Sequence, residues 1–447
     1  MNPAFRILYV AYRIFSGLRY RIPRRFTPAG LAVSGGFIAV SMTGLDTENT
    51  VVYQAFTLLL FLLLVSVVFM FFFKARFTVA RALPRFGTAG HPFRYHVVVA
   101  NHTSKRQSGL TLLENVHDPR PTYREWLTVQ RADEKKVRSF HFNRRWRVNQ
   151  FRVARVKEAV VPPIPRNEES EATIEVTPLR RGILRFTGVT LARPDPLGLL
   201  RAFVRVRLPQ SVLILPKRYP LPPIALPGTT KYQEGGVAFA SNVGQSEEFV
   251  ALRDYRRGDP LRHIHWRSWA RTGRPIVKEF EDEFFVRHAL VLDTFIDDPV
   301  SELFEEAVSV AASFGCTLLT QESLLDLLFV GPQAYCFTAG RGLAHADQML
   351  EILASVRACR DRPFRALETL VLDHAARVSG CICVLLAWDE TRRDLVKKLK
   401  MLGVPLLVLV ITEPGRGKSL EPGPMRDQPE QFHVLELGNI EQGLAAL

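Results

Sequence analysis

The densest group of potentially reactive side chains is LRDYRRGDPLRHIHWRSWARTGRPIVKEFEDEF, the stretch from Leu252 to Phe284. Asp259, His263 and His265 are residue types that bind metal ions or transfer protons. If this stretch is a strand, both histidines of the H-x-H pattern point to one side and could share an ion. A metal-dependent hydrolase that uses these three residues is therefore one hypothesis for the chain.

The same stretch also contains residues that begin and end helices. Asp259 can cap a helix, Pro260 suits the first helical position, and Gly273 suits the position after the end. On a helix His263 and His265 would lie about 200° apart and could not share an ion. The capping pattern predicts a helix here, and it favours a structural role for the histidines over a metal site.

An apolar segment near the amino terminus is long enough to cross a membrane, and it would fix the side of the membrane on which the rest of the chain lies. Val51–Phe73 contains 23 residues and no charge, and as a helix it spans about 34 Å, enough for a bilayer core of about 30 Å. Ala29–Leu45 is shorter and contains Gly35 and Gly36, small residues that let helices approach closely in lipid. We therefore predict a transmembrane helical hairpin over residues 29–73.

The charges around this hairpin predict its orientation. Residues 1–28 contain six arginines and no acid, and residues 74–90 contain four more basic residues and no acid. Cytoplasmic flanks of membrane helices are enriched in Lys and Arg, so both termini are expected in the cytoplasm. Residues 1–28 are also expected to form a basic amphipathic segment on anionic headgroups, although a solvated helix is an alternative.

The remaining chain divides into three parts by pattern. Residues 76–223 alternate apolar and polar side chains between Gly and Pro, which predicts a β-sandwich. Residues 224–286 form a connector that contains the stretch from Leu252 to Phe284 described above. Residues 287–447 alternate continuous apolar strands with amphipathic helices, which predicts a doubly wound α/β domain with a mostly parallel sheet. Neither common Gly-rich phosphate-binding motif occurs in the sequence.

The stretch from Leu252 to Phe284 resembles the signature of the domain of unknown function 58 family. That signature reads R-x-Y-x-x-G-D-x-x-R-x-I-x-W-x-x-x-A-R and is followed by V-K-x-F-E. The matching residues are Arg253, Tyr255, Gly258, Asp259, Arg262, Ile264, Trp266, Ala270, Arg271, Val277, Lys278, Phe280 and Glu281. The resemblance implies a von Willebrand factor A-like carboxy-terminal domain in a multi-pass protein of the bacterial plasma membrane. It also implies a functional link to MoxR-type AAA+ ATPases.

Domains that are similar to von Willebrand factor A often bind Mg²⁺ through D-x-S-x-S, a Thr and a later Asp. Here Asp293 and Asp297 occupy the first and last positions of that motif, Phe295 replaces the first serine, and Asp389 fits the later Asp. Mg²⁺ needs several oxygen ligands in near-octahedral order, so the phenylalanine argues against an ion. The alternative is that Asp293 and Asp389 cap or orient the adjoining loops.

These features together predict a non-enzymatic membrane-anchored adaptor or assembly factor. Its expected partners are membrane lipid and an AAA+ ATPase of the MoxR type. No cofactor is expected, and Mg²⁺ is the metal ion that the aspartates Asp293, Asp297 and Asp389 would hold if they hold one. Acidic residues alternate with the arginines between Leu252 and Phe284, which argues against binding of nucleic acid by this stretch. The alternative is a metal-dependent hydrolase that uses either Asp259, His263 and His265 or the pair Asp293 and Asp389.

Overall fold

The computed structural model describes residues 3–43, 50–117, 120–127, 153–222, 243–257, 259, 261–284, 287–297, 301–319, 324–340, 343–417 and 420–447. The chain divides into two compact units. The amino-terminal unit contains residues 1–217 and 298–300, and the carboxy-terminal unit contains residues 218–297 and 301–447.

The amino-terminal unit begins with three helices: α1 (Pro3–Arg25), α2 (Pro28–Thr43) and α3 (Thr50–Phe72). Within the described residues, one helix is long and apolar enough to cross a membrane, namely α3 over Val51–Phe72, with a mean hydropathy of 2.9. Helix α2 is apolar but shorter. The two helices contact each other through stacked rings of Phe37 and Phe56, whose centroids are 5.2 Å apart.

The strands of this unit are β1 (Phe77–Arg81), β2 (Phe86–Thr88), β3 (Phe93–Asn101), β4 (Leu110–Val116), β5 (Ala154–Val156), β6 (Ala159–Val161), β7 (Glu169–Pro178), β8 (Gly182–Pro194) and β9 (Arg201–Leu215). They form two sheets, with strand orders β1-β3-β7-β5 and β2-β9-β8-β4-β6. All pairs are antiparallel except β2 with β9.

Alternating side chains give the two sheets of this unit their shared core. In β3 the buried residues Tyr95, Val97 and Val99 occur at every second position, because successive side chains of a strand point to opposite faces. One apolar cluster contains these residues together with Leu112 of β4 and Leu191 of β8. The cluster therefore joins both sheets.

The carboxy-terminal unit contains β10 (Val243–Asp254), α4 (Trp266–Thr272), β11 (Ile276–Phe284), β12 (Arg287–Leu292), α5 (Glu302–Leu319), β13 (Leu324–Val330), β14 (Ala334–Ala339), α6 (Leu343–Ser355), α7 (Arg365–Ala375), β15 (Gly380–Leu385), α8 (Glu390–Met401), β16 (Leu406–Thr412), β17 (Phe432–Glu436) and α9 (Ile440–Ala445). Strands β10 and β11 pair as a two-stranded antiparallel ribbon. The other strands form one sheet in the order β14-β13-β12-β15-β16-β17.

Five neighbouring strands of the six-stranded sheet are parallel, and β14 is an antiparallel edge strand. Strands β15 and β16 are buried along their whole length, as expected when helices cover both faces of a sheet. Helices α7 and α8 share an apolar cluster with Ala289 and Val291 of β12. Helix α5 contacts β12, β13, β15 and β16. Because β12 and β15 are parallel neighbours, their carboxyl ends lie side by side.

Candidate functional site

The segment between β10 and β11 folds back onto the ribbon. Ile264 forms a bridge with Val277 of β11, and the backbone N–H of His265 donates to the carbonyl of Ile276 over 2.8 Å. Ile264 and Val277 are both buried. Two apolar side chains of the signature therefore fix this segment against its own strand.

The helix in this segment begins later than the sequence predicts. A 3-10 turn covers Leu261–His263, and α4 starts at Trp266. Asp259 does not cap α4, because its carboxylate accepts hydrogen bonds from both terminal nitrogens of Arg253 (2.7 and 2.8 Å) and from the backbone N–H of Arg256 (2.8 Å). The predicted end is confirmed, since Gly273 follows α4 with φ of 69°.

The contacts of Asp259 also decide its chemistry. The hydrogen bonds from Arg253 are the main cause, and that from Arg256 the second, of a pKa lowered to about 2. A carboxylate with so low a pKa is a weak general base at neutral pH, because such a base works best with a pKa near the working pH. The geometry therefore assigns Asp259 to the internal structure of the segment.

The two histidines have separate partners. Arg262 donates to Nε2 of His263 over 3.2 Å, and Nδ1 of His265 shares a hydrogen bond of 2.6 Å with Ser268. Among the described residues, no group of three or more His, Cys, Asp or Glu side chains is placed to hold a metal ion. The structure therefore does not assemble Asp259, His263 and His265 as one site.

Helix α4 presents an exposed surface of tryptophan and arginine. Trp266 is 64% exposed, and its ring stacks on that of Trp269 at 5.2 Å between centroids. Arg267, Ala270 and Arg271 are also exposed. Successive helical residues differ by 100°, so Trp266, Arg267, Ala270 and Arg271 share one side of the helix. We call these four residues the Trp266 surface.

The other signature residues are divided between the interior and the solvent. Arg253, Tyr255 and Lys278 are half-buried, and Arg262 is exposed. Gly258 and the side chains of Phe280 and Glu281 lie outside the described residues. The described part of the signature therefore combines internal contacts with the exposed Trp266 surface.

A second group of candidate residues lies at the carboxyl ends of β12 and β15. The side chain of Asp293 is fully buried, and Oδ2 of Asp293 accepts from Nε of Arg392 over 2.7 Å. The same guanidinium donates through Nη1 to Oδ2 of Asp389 over 2.6 Å. The two carboxylates expected at a metal site are thus joined by an arginine. Asp297 is exposed and belongs to no described metal-binding group.

Each member of this group also supports nearby backbone. Asp293 accepts from the N–H groups of Phe295 and Leu386 (2.9 and 3.1 Å), and Asp389 caps α8 by accepting from the N–H of Arg392. The ring of Phe295, at the position of the motif's first serine, packs edge-on against Phe364. The geometry supports the alternative in which both aspartates orient loops.

Electrostatics strengthens the arginine link. Burial alone would lower the pKa of Arg392, but the charges and hydrogen bonds of Asp293 and Asp389 outweigh burial and raise that pKa. Burial raises the pKa of Asp389, but the charge of Arg392 together with the hydrogen bonds from Thr391 and Arg392 outweighs burial, so the net pKa is lowered. These residues do not fit a Mg²⁺ ion, because the guanidinium already occupies the oxygens that face inward.

Sequence reasoning missed Arg392, the residue that organises this group. A local signal was present, because Asp389 and Arg392 are three positions apart at the start of a helix, where their side chains can meet. The other half of the pairing has no local signal, since Asp293 precedes Arg392 by 99 positions.

Two comparisons with known sequences find similar proteins. Residues 251–415 match the model of a family described as Protein of unknown function DUF58. An uncharacterized protein, YeaD of Bacillus subtilis (strain 168), is 28% identical over 205 residues. That alignment covers 45% of this chain and 49% of YeaD, so the chain spans about half the length of this relative.

Two solved structures resemble smaller parts of the chain. PapD-like domain 7 of human CEP192 has 8% identity and a TM-score of 0.16, covering 31% of this chain and 85% of that domain. A cohesin module from Clostridium perfringens has 9% identity and a TM-score of 0.15, covering 32% of this chain and 98% of the module. Neither score supports a fold assignment. By sequence, residues 251–415, which include the whole signature from Arg253 to Glu281 and the residues Asp293, Asp389 and Arg392, are similar to the DUF58 family of unknown function.

Proposed function

We propose that this protein is a non-enzymatic, membrane-anchored adaptor of the bacterial plasma membrane. In this proposal both termini are cytoplasmic, and a carboxy-terminal domain of the von Willebrand A-like type is presented to a MoxR-type AAA+ ATPase. The observation that carries the proposal is the exposure of Trp266, a signature residue that is 64% exposed.

An exposed tryptophan beside arginines has the composition of a protein contact. Trp and Arg are enriched among the residues that dominate binding energy at protein interfaces. The side chains of Arg267 and Arg271 are exposed next to Trp266 on α4, while Trp269 supports the indole from beneath by ring stacking. We therefore assign the ATPase contact to the Trp266 surface.

The helices of the amino-terminal unit support the membrane part of the proposal. Helix α1 exposes Ile7, Val10, Ile14 and Leu18, which recur at helical spacing and form an apolar stripe. The same helix contains six arginines, the last of which is Arg25 at its end. An apolar stripe with basic flanks suits the surface of an anionic bilayer.

No specific observation favours the hydrolase alternative. The carboxylate of Asp259 is bound by Arg253, and those of Asp293 and Asp389 are bound by Arg392. Each of the histidines His263 and His265 has its own hydrogen-bond partner. All five groups therefore already serve internal contacts.

The test is a binding assay with the MoxR-type ATPase of the same genome and the detergent-solubilised full chain. We expect the ATPase to be retained, and Trp266→Ala to weaken binding by about thirtyfold or more, since truncation of such a residue costs at least about 2 kcal/mol. The matched control is Leu402→Ala, which truncates the apolar residue directly after α8, and Leu402 is 60% exposed.

The control should bind as the unmodified chain does. If the unmodified chain neither retains the ATPase nor changes its rate of ATP turnover, the adaptor proposal fails. If the ATPase binds but Trp266→Ala and Leu402→Ala behave alike, the adaptor proposal stands and the assignment of its contact surface is wrong.

A further inference from the structure

The guanidinium of Arg392 lies between Asp293 and Asp389 at the carboxyl ends of β12 and β15, and all three of its nitrogens donate hydrogen bonds. Nε donates to Asp293 over 2.7 Å, Nη1 to Asp389 over 2.6 Å, and Nη2 to the carbonyl of Phe295 over 3.2 Å. The central carbon lies 4.8 Å from the ring centroid of Phe364. The cation is thus surrounded by two carboxylates, a carbonyl and an aromatic face.

The three oxygens that converge on Arg392 are the kind that a hard divalent cation prefers. Asp and Glu carboxylates and backbone carbonyls are the usual protein ligands of Mg²⁺ and Ca²⁺. Here Asp293, Asp389 and Phe295 turn such oxygens toward one cation, and that cation is a side chain. Arginine does not lose its proton in proteins, so the positive charge is permanent.

We infer that Arg392 is a built-in cation that takes the place of a divalent metal ion at the carboxyl ends of β12 and β15. The loops after these strands are therefore assembled without metal, and removing the Arg392 side chain creates a cation site from Asp293, Asp389 and the Phe295 carbonyl. This inference concerns one group of residues and does not depend on the proposed adaptor function.

The burial of Asp293 makes the cation necessary. Its side chain is fully buried, and a buried carboxylate that loses its partner is strongly destabilising. Asp389 is half-exposed and can be hydrated without Arg392. The effect of removing Arg392 should therefore arise mainly at Asp293, and neutralising Asp293 should cancel most of it.

The experiment compares melting temperatures of the full chain in detergent, in excess EDTA and in excess Mg²⁺, Ca²⁺ or Mn²⁺. The unmodified chain is expected to melt at the same temperature in all four conditions. Arg392→Ala should lower the melting temperature in EDTA by roughly 10 °C, the shift expected when a buried pair is broken in a domain of this size. At least one divalent ion should recover part of that loss.

Two further variants make the result specific. Asp293→Asn combined with Arg392→Ala removes the buried charge, so it should melt higher than Arg392→Ala in EDTA and lose the response to metal. Arg393→Ala removes the next arginine of the same helix, whose guanidinium faces Trp388, and should show no response to metal. A response in this control would mean that the ions act elsewhere on the chain.

Two results would overturn the inference. One is a stoichiometric divalent ion in the purified unmodified chain, detected by elemental analysis, together with a melting temperature that falls in EDTA. The other is a folded Arg392→Ala variant that melts identically with and without each ion. If Arg392→Ala does not fold, Arg392→Gln takes its place, because the shorter neutral side chain also removes the cation.

Discussion

At the scale of single residues, His288 of β12 is a buried polar group with no compensating contact. Its side chain is fully buried, and neither ring nitrogen has a hydrogen-bond partner among the described residues. Burial disfavours the charged imidazolium and lowers the pKa of His288 to about 4. In the unfolded chain a histidine titrates at about 6.5, so only the unfolded state takes up a proton between these two values.

We therefore predict an acid-dependent loss of stability that His288 causes. The contribution is fully present above about pH 6.5 and decreases as the pH falls toward about 4, by about 3 kcal/mol at most. The substitution His288→Leu should remove this part of the pH dependence while keeping a side chain of similar size. The measurement is the free energy of unfolding in urea at several pH values.

The matched control for that series is His433→Leu, on β17 of the same sheet. It should leave the acid dependence of the unmodified chain intact. If His288→Leu and the unmodified chain lose stability in parallel between pH 6.5 and 4, His288 is not the group responsible.

Arg81 and Glu114 form a buried ion pair between the two sheets of the amino-terminal unit. Their side chains are fully buried, with 2.7 Å between Nη1 and Oε2, and Tyr95 donates to the other carboxylate oxygen over 2.8 Å. Desolvation raises the pKa of Glu114 despite the charge of Arg81. The carboxylate is therefore stable in its charged form only while its partners remain.

We predict that Arg81→Met destabilises this unit by about 3–5 kcal/mol, because it leaves Glu114 buried and unpaired. The control is Arg94→Met, which breaks the Arg94–Glu175 pair, whose arginine side chain is 73% exposed. That change should cost no more than about 1 kcal/mol. Thermal unfolding in detergent would compare the two variants, and similar losses would contradict the prediction.

Sequence reasoning found two of the residues in these contacts, but it did not find the charged partner of either. Asp293 and Asp389 were found through the resemblance to the metal motif of von Willebrand A-like domains, and each also follows an apolar strand, where sites of such sheets form. Arg392 was not, because nothing in a helical arginine indicates which distant carboxylate it will reach. Glu114 lies in an alternating strand, and its arginine partner is 33 positions earlier.

At the scale of elements, the first turn of α2 is fixed to the turn between β8 and β9. The backbone N–H of Thr27 donates to the carbonyl of Leu199 over 3.1 Å, and the Thr27 hydroxyl accepts from the N–H of Gly30 over 3.0 Å. A Cβ atom on Gly30 would overlap the Leu199 carbonyl oxygen, whereas one on Gly35 would meet no atom within 4 Å. The same helix therefore contains a constrained and an unconstrained glycine.

We predict opposite effects of the same substitution at these two positions. Gly30→Ala should destabilise the unit by about 1–3 kcal/mol, the usual cost of forcing extra volume into a packed contact. Gly35→Ala should be neutral or stabilise α2 by up to about 1 kcal/mol, because alanine has the higher helix propensity. Thermal unfolding of both variants in one detergent is the measurement, and equal effects would show that the contact at Leu199 is not tight.

Elements were predictable where one local pattern dominates. Strands β15 and β16 are continuous apolar runs, and α8 has an aspartate cap and an amphipathic face, so each follows from its own residues. Helix α4 was displaced toward the carboxyl end from its expected start. Asp259 and Pro260 fit a helix start in isolation, but the Asp259 carboxylate is bound by Arg253, six residues earlier at the end of β10. The capping pattern does not show this competition, because it takes no account of a second side chain that binds the capping carboxylate.

At the scale of the whole molecule, the exposed side chains of α3 indicate its surroundings. Phe61 and Leu64 are 64% and 54% exposed on a helix without charges. Water is an unfavourable environment for a continuous apolar surface of this kind, and a bilayer core is a favourable one. The length and hydropathy of α3 therefore favour a membrane as the surroundings of this helix.

We predict that the full chain sediments with membranes and resists extraction by alkaline carbonate. Phe61→Arg combined with Leu64→Arg should release a large part of it, because an arginine at the centre of a membrane helix costs about 2.5–3.5 kcal/mol. The control places the same charges at Val160 and Ile183, which are 77% and 57% exposed on β6 and β8. The control chain should stay with the membranes, since its charges lie outside α3. Recovery of the unmodified chain in the aqueous fraction without detergent would remove the basis for the anchor, and with it the adaptor proposal in its present form.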